Sequence, residues 1–513
     1  MLSLLELSVL AICCVSLVSA KWANSPPMPV MPMVSLEESN APVTSRNGTV
    51  LPPYNTTFTF QQLIDHNNPS LGTFTQRYWH TYEFYEPGGL IVLATPGESN
   101  AAPFATYITN ITIIGQIAQQ ENGAAIILEH RFYGLSNPFP NLSVESLRVH
   151  TIQQAIDDLE YFAQNVVLPM PNGGNLKPST TPWILVGASY SGALTSWTMV
   201  DKPRLFAAGY ASSAVVEAIF DFWQYFEPER SFMAANCSAD IKAVVSHIDK
   251  VFTGTNQTAI QEIKESFGMG DMTHLDDVAG SLRENLWDWQ GLSLSGGAGG
   301  IFFQFCDALE VKNGVNAPAS GWGVDHALSA WSLFWTEKYL ASICGDETAE
   351  DCLGTYNTSQ SQWTNTTIDN ANRSCTCTEV GFLQESAPPA DSTLVSRLIQ
   401  PGYDLRQCQQ MFPEAFPQPP NVQTARTNKL YDGWNVTVSN LFFANGERDP
   451  WRYSTVSAPG VILQSTPSQP IAVGEGYHCA DLLTAEGTAN PSVLAVQQLG
   501  LASMKSWIAA WKA

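Results

Sequence analysis

The chain has 513 residues, 44% hydrophobic and 14% charged, enough to bury one large core or two modest ones. Asp and Glu number 47 against 24 Lys and Arg, a formal charge of −23. A surface that acidic repels phosphate backbones, which argues against nucleic acid as a partner. Residues 2–18 are mostly apolar and lead into Val18-Ser19-Ala20, small residues where a signal peptidase cuts, so residues 1–20 are predicted to be a cleaved signal peptide. As a membrane anchor the run is barely long enough for ~30 Å of hydrocarbon. No later stretch is apolar enough, and no membrane attachment is expected once the leader is gone.

Residues 21–55 are rich in Pro, Ser and Asn without apolar periodicity, and read as a loosely ordered lead-in open to processing. Globular patterning begins near Phe58. Residues 90–95 and 124–129 are short apolar runs of the kind that fill a parallel sheet. Residues 151–167 carry Ile152, Ala155, Ile156, Leu159, Phe162 and Ala163 on one helical face. A buried strand is predicted at 183–186, a helix at 192–200 and another strand at 205–211. Such alternation predicts a doubly wound α/β sheet.

The rhythm stops from about 214 to 431, where Trp and Phe are dense, patterning is mainly helical and seven cysteines fall. Strand patterning returns at 438–444 and 470–473, and a closing helix is expected over 492–511. The economical division is one α/β domain in two parts, 56–213 and 432–513, interrupted by a helical insertion at 214–431.

Two counts agree with export. Ten Asn-x-Ser/Thr sequons are candidate glycosylation sites: Asn47, Asn55, Asn110, Asn141, Asn236, Asn256, Asn357, Asn365, Asn372 and Asn435. Losing Cys13 and Cys14 with the leader leaves eight cysteines, an even number suited to disulfides in an oxidising compartment. Cys375-Thr376-Cys377 has no second pair at zinc spacing, so no metal is expected. The expected location is extracellular, with an acidic lysosome- or vacuole-like compartment as the variant.

The chemistry concentrates at Gly187-Ala188-Ser189-Tyr190-Ser191-Gly192, between a predicted strand and a predicted helix. A nucleophile must be presented on a tight strand-to-helix turn among small neighbours, and Ser189 has Gly at −2. At +2 stands Ser191 rather than Gly, with Gly192 next, a mild departure. In α/β-hydrolases an acid and then a histidine follow the nucleophile. Downstream of His326 the sequence has one histidine, His478, just past the last predicted strand. The strand before it ends in Asn445-Gly446-Glu447-Arg448-Asp449, offering Glu447 and Asp449; Pro450 fixes the turn after Asp449, which is preferred. The bland alternative is that Asp449 forms an Asx turn and His478 merely packs. For the oxyanion, the Tyr190 amide is one donor, and Gly97 or Glu98, on the loop after the 90–95 strand, supplies the second.

These residues, with Thr95-Pro96-Gly97-Glu98, Glu129-His130-Arg131-Phe132-Tyr133-Gly134, Phe302-Phe303-Gln304-Phe305-Cys306-Asp307, Asp449-Pro450-Trp451 and Gly476-Tyr477-His478-Cys479, resemble the S28 family of serine peptidases. Within it the likeness is to fungal, acid-active, proline-specific endopeptidases. The resemblance implies an α/β-hydrolase fold with a helical cap, cleavage of peptides after proline in acid, and no cofactor. It carries the nucleophile onto Ser189, the acid onto Asp449 and the base onto His478. It also makes Trp451 an aromatic wall for proline, and Ala193, where many relatives have Met, a widening of that pocket. An esterase on the same fold, or a non-catalytic secreted glycoprotein, is the alternative.

Overall fold

The computed structural model describes residues 31–32, 42–360, 363 and 374–512. The predicted leader, much of the lead-in and the sequons at Asn365 and Asn372 lie outside the described residues. Eight strands form the central sheet: β1 (Thr57–Leu63), β2 (Thr73–Thr81), β3 (Ile91–Ala94), β4 (Ala124–Leu128), β5 (Trp183–Ala188), β6 (Ala208–Ser212), β7 (Leu441–Gly446) and β8 (Ile471–Gly474). Their spatial order is β1-β2-β4-β3-β5-β6-β7-β8. Neighbours from β4 to β8 run parallel, and β2 is antiparallel to both β1 and β4.

Every residue of β3 to β7 is buried, which explains why these strands read as unbroken runs of apolar and small residues. The antiparallel strands behave otherwise. In β2, Phe74, Gln76 and Tyr78 are buried while Thr73 and Thr75 are exposed. An expectation built on continuous apolar runs passes over β1 and β2, whose signal is alternation. The sheet is therefore mixed rather than wholly parallel.

Helices α1 (Ile113–Gln120), α2 (Ile152–Asn165) and α3 (Tyr190–Asp201) connect the strands. Between β6 and β7 the chain leaves the sheet for a mainly helical insertion that includes α4 (Ala235–Phe252), α5 (Ile301–Glu310) and α6 (Val324–Trp335). After β8 the chain closes with α7 (Pro491–Ala510). The period of two along β5 separates the cores: Trp183 and Leu185 pack with α2 and α3, whereas Ile184, Val186 and Ala188 pack with α1 and α7. In the insertion, Phe305 of α5 meets Trp331 of α6 edge-on, with ring centroids 5.2 Å apart. The strand order and the helical insertion after β6 are those of an α/β-hydrolase fold with a cap.

Disulfides join Cys237 to Cys306, Cys344 to Cys352 and Cys377 to Cys408, all in the insertion. Pairing of all eight cysteines does not occur, since Cys375 and Cys479 are buried free thiols. They are held in different cores, Cys375 with the cap and Cys479 on the α1/α7 side of the sheet. Burial pushes both thiols well above their ordinary range. Residues 31–32 of the lead-in are packed: Met31 is 2% exposed in the core with Phe104 and Tyr107, and the Tyr107 hydroxyl donates to the Pro32 carbonyl, whereas residues 42–55 are mostly exposed. Among the described residues no helix is long and apolar enough to cross a membrane.

Candidate active site

Ser189 follows β5 directly and enters α3 with φ 63° and ψ −124°. A non-glycine residue is strained there, and such strain persists only where the surroundings over-determine it. The neighbours do so. A Cβ on Gly187 would lie 1.9 Å from the Ser191 carbonyl oxygen, and one on Gly192 would lie 2.6 Å from that of Ser212. Ser191, the departure from the motif, closes the turn: its Oγ accepts from the Ala188 N–H at 2.9 Å and donates to the Ala188 carbonyl at 2.7 Å.

The turns after β7 and β8 bring the other two residues to this elbow. His478 Nε2 lies 2.6 Å from Ser189 Oγ, and His478 Nδ1 lies 2.8 Å from Asp449 Oδ1. Asp449 Oδ1 also accepts the Trp451 N–H at 2.8 Å. The Asx turn exists and aims the carboxylate at the imidazole, so the two readings of Asp449 are one arrangement. Glu447, the other carboxylate of that stretch, is half-buried, and the imidazole bonds Asp449 instead. Ser189 and Asp449 are fully buried and His478 is 5% exposed. In such a water-poor setting each polar interaction is stronger than in solvent.

Of the two residues expected to offer the second oxyanion donor, Gly97 directs its N–H at Thr95 Oγ1, 3.2 Å away. Its part is close approach: φ is 79°, and a Cβ there would stand 3.2 Å from Tyr190 Cδ1 and 3.4 Å from the Ser191 nitrogen. Gly97 thus has a local acceptor for its N–H in Thr95, and Glu98 is the other residue of the pair. The Tyr190 side chain is anchored away from the turn, its hydroxyl donating to His130 Nε2 at 3.3 Å. His130 Nδ1 bonds the Arg131 carbonyl at 2.8 Å, and burial pushes the imidazole down to about 4, which keeps it a neutral acceptor in mild acid.

Below lie two charged clusters. Arg131 grips Asp158 through Nε and Nη2 at 2.7 and 2.5 Å. Burial by itself would raise Asp158, yet the Arg131 charge and its bonds hold the carboxyl below the usual range. Glu129 takes Arg77 Nε at 2.8 Å and the Ser136 hydroxyl at 2.6 Å.

Trp451 is wholly buried, with its ring centroid 6.3 Å from that of His478. Phe222 at 5.5 Å, Tyr225 at 5.3 Å and Phe382 at 5.2 Å surround it, and its Nε1–H donates to Gln290 Oε1 at 2.8 Å. Tyr225 donates its hydroxyl to the same oxygen at 3.0 Å. These companions come from the insertion. Sequence reading missed them, although the aromatic run Phe222-Trp223-Gln224-Tyr225-Phe226, starting ten residues after the end of β6, was a usable signal. Ala193 lies on α3 in the core, and its N–H donates to the Ser189 carbonyl at 3.0 Å.

Seven of the eight sequon asparagines within the described residues are exposed; Asn236 is half-buried, its amide donating to the Ala317 carbonyl at 3.3 Å. Cys237, Cys306 and Glu310 cluster closely enough to suggest a cation site, but the two sulfurs are bonded to each other.

The family described as Serine carboxypeptidase S28 matches residues 61–280 and 331–499. The chain is 34% identical over 477 residues to the serine protease vicPa of Bipolaris victoriae, covering 88% of each. It is 30% identical over 493 residues to a probable extracellular serine carboxypeptidase of Arthroderma benhamiae, covering 89% of this chain and 67% of that one. Lysosomal Pro-X carboxypeptidase of Pongo abelii is 25% identical over 479 residues, covering 88% of this chain and 87% of that one. With a match across most of its length, the chain belongs to the S28 family of serine peptidases.

Proposed function

We propose that this peptidase cleaves peptides after proline through an acyl-enzyme, with Ser189 as nucleophile, His478 as general base and then acid, and Asp449 orienting His478. The observation that carries the reading is the unbroken chain from Ser189 Oγ through His478 to Asp449 at 2.6 and 2.8 Å on a strained elbow. In the reaction Ser189 Oγ bonds the scissile carbonyl carbon while its proton passes to His478 Nε2. The tetrahedral oxyanion lies against the Tyr190 amide, with the Glu98 amide as the second donor. Collapse expels the amine, which takes the proton from His478, and water then releases the acid by the same steps reversed.

Proline selectivity rests on Trp451, whose flat ring beside His478 suits a pyrrolidine and whose aromatic neighbours hold it rigid. The name of the Pro-X relative agrees in kind. Ala193, in place of a larger residue, is proposed to leave room at that wall. The peptidase is further proposed to be secreted, N-glycosylated at its exposed sequons and active in acid, a reading that the name of the extracellular relative and the acidic composition favour.

The test combines labelling with product analysis. A fluorophosphonate should modify Ser189, located by peptide mass spectrometry. Proline-containing peptides with free and with blocked termini should be cut on the carboxyl side of proline, and the blocked set separates endo- from exo-cleavage. Labelling at another serine, or cleavage indifferent to proline, would overturn the corresponding half of the proposal.

A further inference from the structure

The proposed triad joins three turns from three strands, and a dipeptide at the end of β6 touches all of them. The Ser212 carbonyl accepts the Ser189 N–H at 2.8 Å. The next residue, Ser213, donates its N–H to the Ala444 carbonyl of β7 at 2.7 Å, the strand that leads to Asp449. Ser213 Oγ accepts the N–H of Cys479, the residue after His478, at 3.0 Å. Both serines are fully buried.

Asp481 completes this junction from the histidine side. Its Oδ1 accepts the Ser212 hydroxyl at 2.6 Å, and its Oδ2 accepts the Tyr210 hydroxyl at 2.9 Å, both from β6. From the other side Gln497 of α7 donates to the Asp481 and Leu483 carbonyls at 3.1 and 2.8 Å. The backbone is strained at this junction: Ser189, Ser213 and Cys479 all have left-handed φ, 63°, 44° and 58°. Three such residues bonded into one network mark a geometry held against local preference.

We propose that Asp481 is a positioning residue for the hydrolytic reaction: by taking the hydroxyls of Ser212 and Tyr210 it clamps the His478 turn onto the end of β6 and sets the reach of His478 to Ser189. The inference rests on the triad reading above. Asp481 touches no reacting atom and acts through the distance between two groups that do. An angular or lateral slip of a few tenths of an ångström at a 2.6 Å contact disturbs proton transfer while leaving the peptide-binding surface alone.

The experiment uses the full chain and three variants, Asp481→Ala, Asp481→Asn and Ser212→Ala, with kcat and KM on a proline-containing peptide and the rate of fluorophosphonate labelling of Ser189. Asp481→Ala is expected to lower kcat at least 30-fold and to slow labelling in parallel, with KM within about three-fold of the parent. Asp481→Asn should restore kcat to within about five-fold, because an amide oxygen still accepts from Ser212 and the amide nitrogen can donate to the Tyr210 oxygen. Ser212→Ala, which removes one hydroxyl from an intact turn, should lie between them and serves if Asp481→Ala does not fold. Folded variants with parental kcat, or an Asn variant as poor as Ala, would overturn the clamp. Failure of the triad reading looks different: the parent itself would not label at Ser189.

Discussion

Ser189 and Ser191 are two residues apart and both fully buried, yet the geometry gives them different tasks. Ser189→Ala removes the hydroxyl bonded to His478 Nε2 and is expected to lower kcat by ~10⁴-fold or more in a protein that still melts normally. Ser191→Ala removes the bonds that close the elbow on Ala188 and should cost about 1–3 kcal/mol of stability, while kcat stays within roughly ten-fold. Urea melts and steady-state rates on both variants check the pair, and a well-folded, active Ser189→Ala would end the assignment. Trp451 separates recognition from chemistry in the same way. Trp451→Ala should lose preference for Pro over Ala at the cleaved position by roughly ten-fold, more than it slows fluorophosphonate labelling, while Trp451→Phe should keep much of that preference. An unchanged Pro-to-Ala ratio in Trp451→Ala would remove it from the pocket.

Among the elements, the insertion depends most on covalent ties. The Cys237–Cys306 bridge joins α4 to α5 across a sequence separation of 69 residues, and on the chain-entropy account such a loop contributes about 4 kcal/mol. The paired change Cys237→Ser with Cys306→Ser should therefore lower the stability of the insertion by about 2–5 kcal/mol. Phe222, Tyr225, Phe382 and Gln290 surround Trp451 from within that insertion, so proline cleavage should be lost at a lower denaturant concentration than the sheet's far-ultraviolet signal. Coincident loss of both signals would show that insertion and sheet unfold as one unit.

At the scale of the molecule, buried carboxylates set the response to pH. Burial pushes Asp481 up to about 6 and Glu379 up to about 7, and Glu229 and Glu385 well above their ordinary range. A carboxyl raised in the fold binds its proton more tightly there than in the unfolded chain. Its contribution to stability is present below the unfolded value and lost as pH rises through the folded one. The buried histidines act oppositely. Burial pushes His80 and His130 down to about 4, so their contribution is present above the unfolded value near 6.5 and is lost as pH falls through about 4. Burial also pushes His150 well below its ordinary range, but raised carboxylates still outnumber lowered histidines, so the carboxylates prevail between the two limits. A net charge of −23 adds self-repulsion as pH rises. The melting temperature is expected to peak at roughly pH 4–5 and to fall steadily to pH 8. Calorimetry across that range checks it, and Glu379→Gln should flatten the descent. A melting temperature that climbs from pH 4 to 8 would contradict the balance drawn here.

The buried strands, the elbow and the two later turns were legible in the sequence because each is a local matter. Parallel strands buried on both faces write themselves as apolar runs, as in β3 to β5, and a strained turn demands small residues such as Gly187 and Gly192. Chain order then singled out His478, and Pro450 favoured Asp449 over Glu447, the carboxylate that the fold brings to the imidazole being Asp449. What the sequence left open depends on contacts between residues far apart along it. β1 and β2 announce themselves by alternation, not by hydrophobic runs, and only their pairing made the sheet mixed. That the Gly97 N–H meets the Thr95 hydroxyl, and that its backbone packs close on Tyr190 and Ser191, appears only in the folded loop. Eight cysteines suggested complete pairing, whereas burial in separate cores leaves Cys375 and Cys479 as thiols. Asp481 carried no motif at all. Its bonds to Ser212 and Tyr210 cross 269 and 271 residues, and a hydrogen bond of that span exists only once the sheet has put both ends in one place.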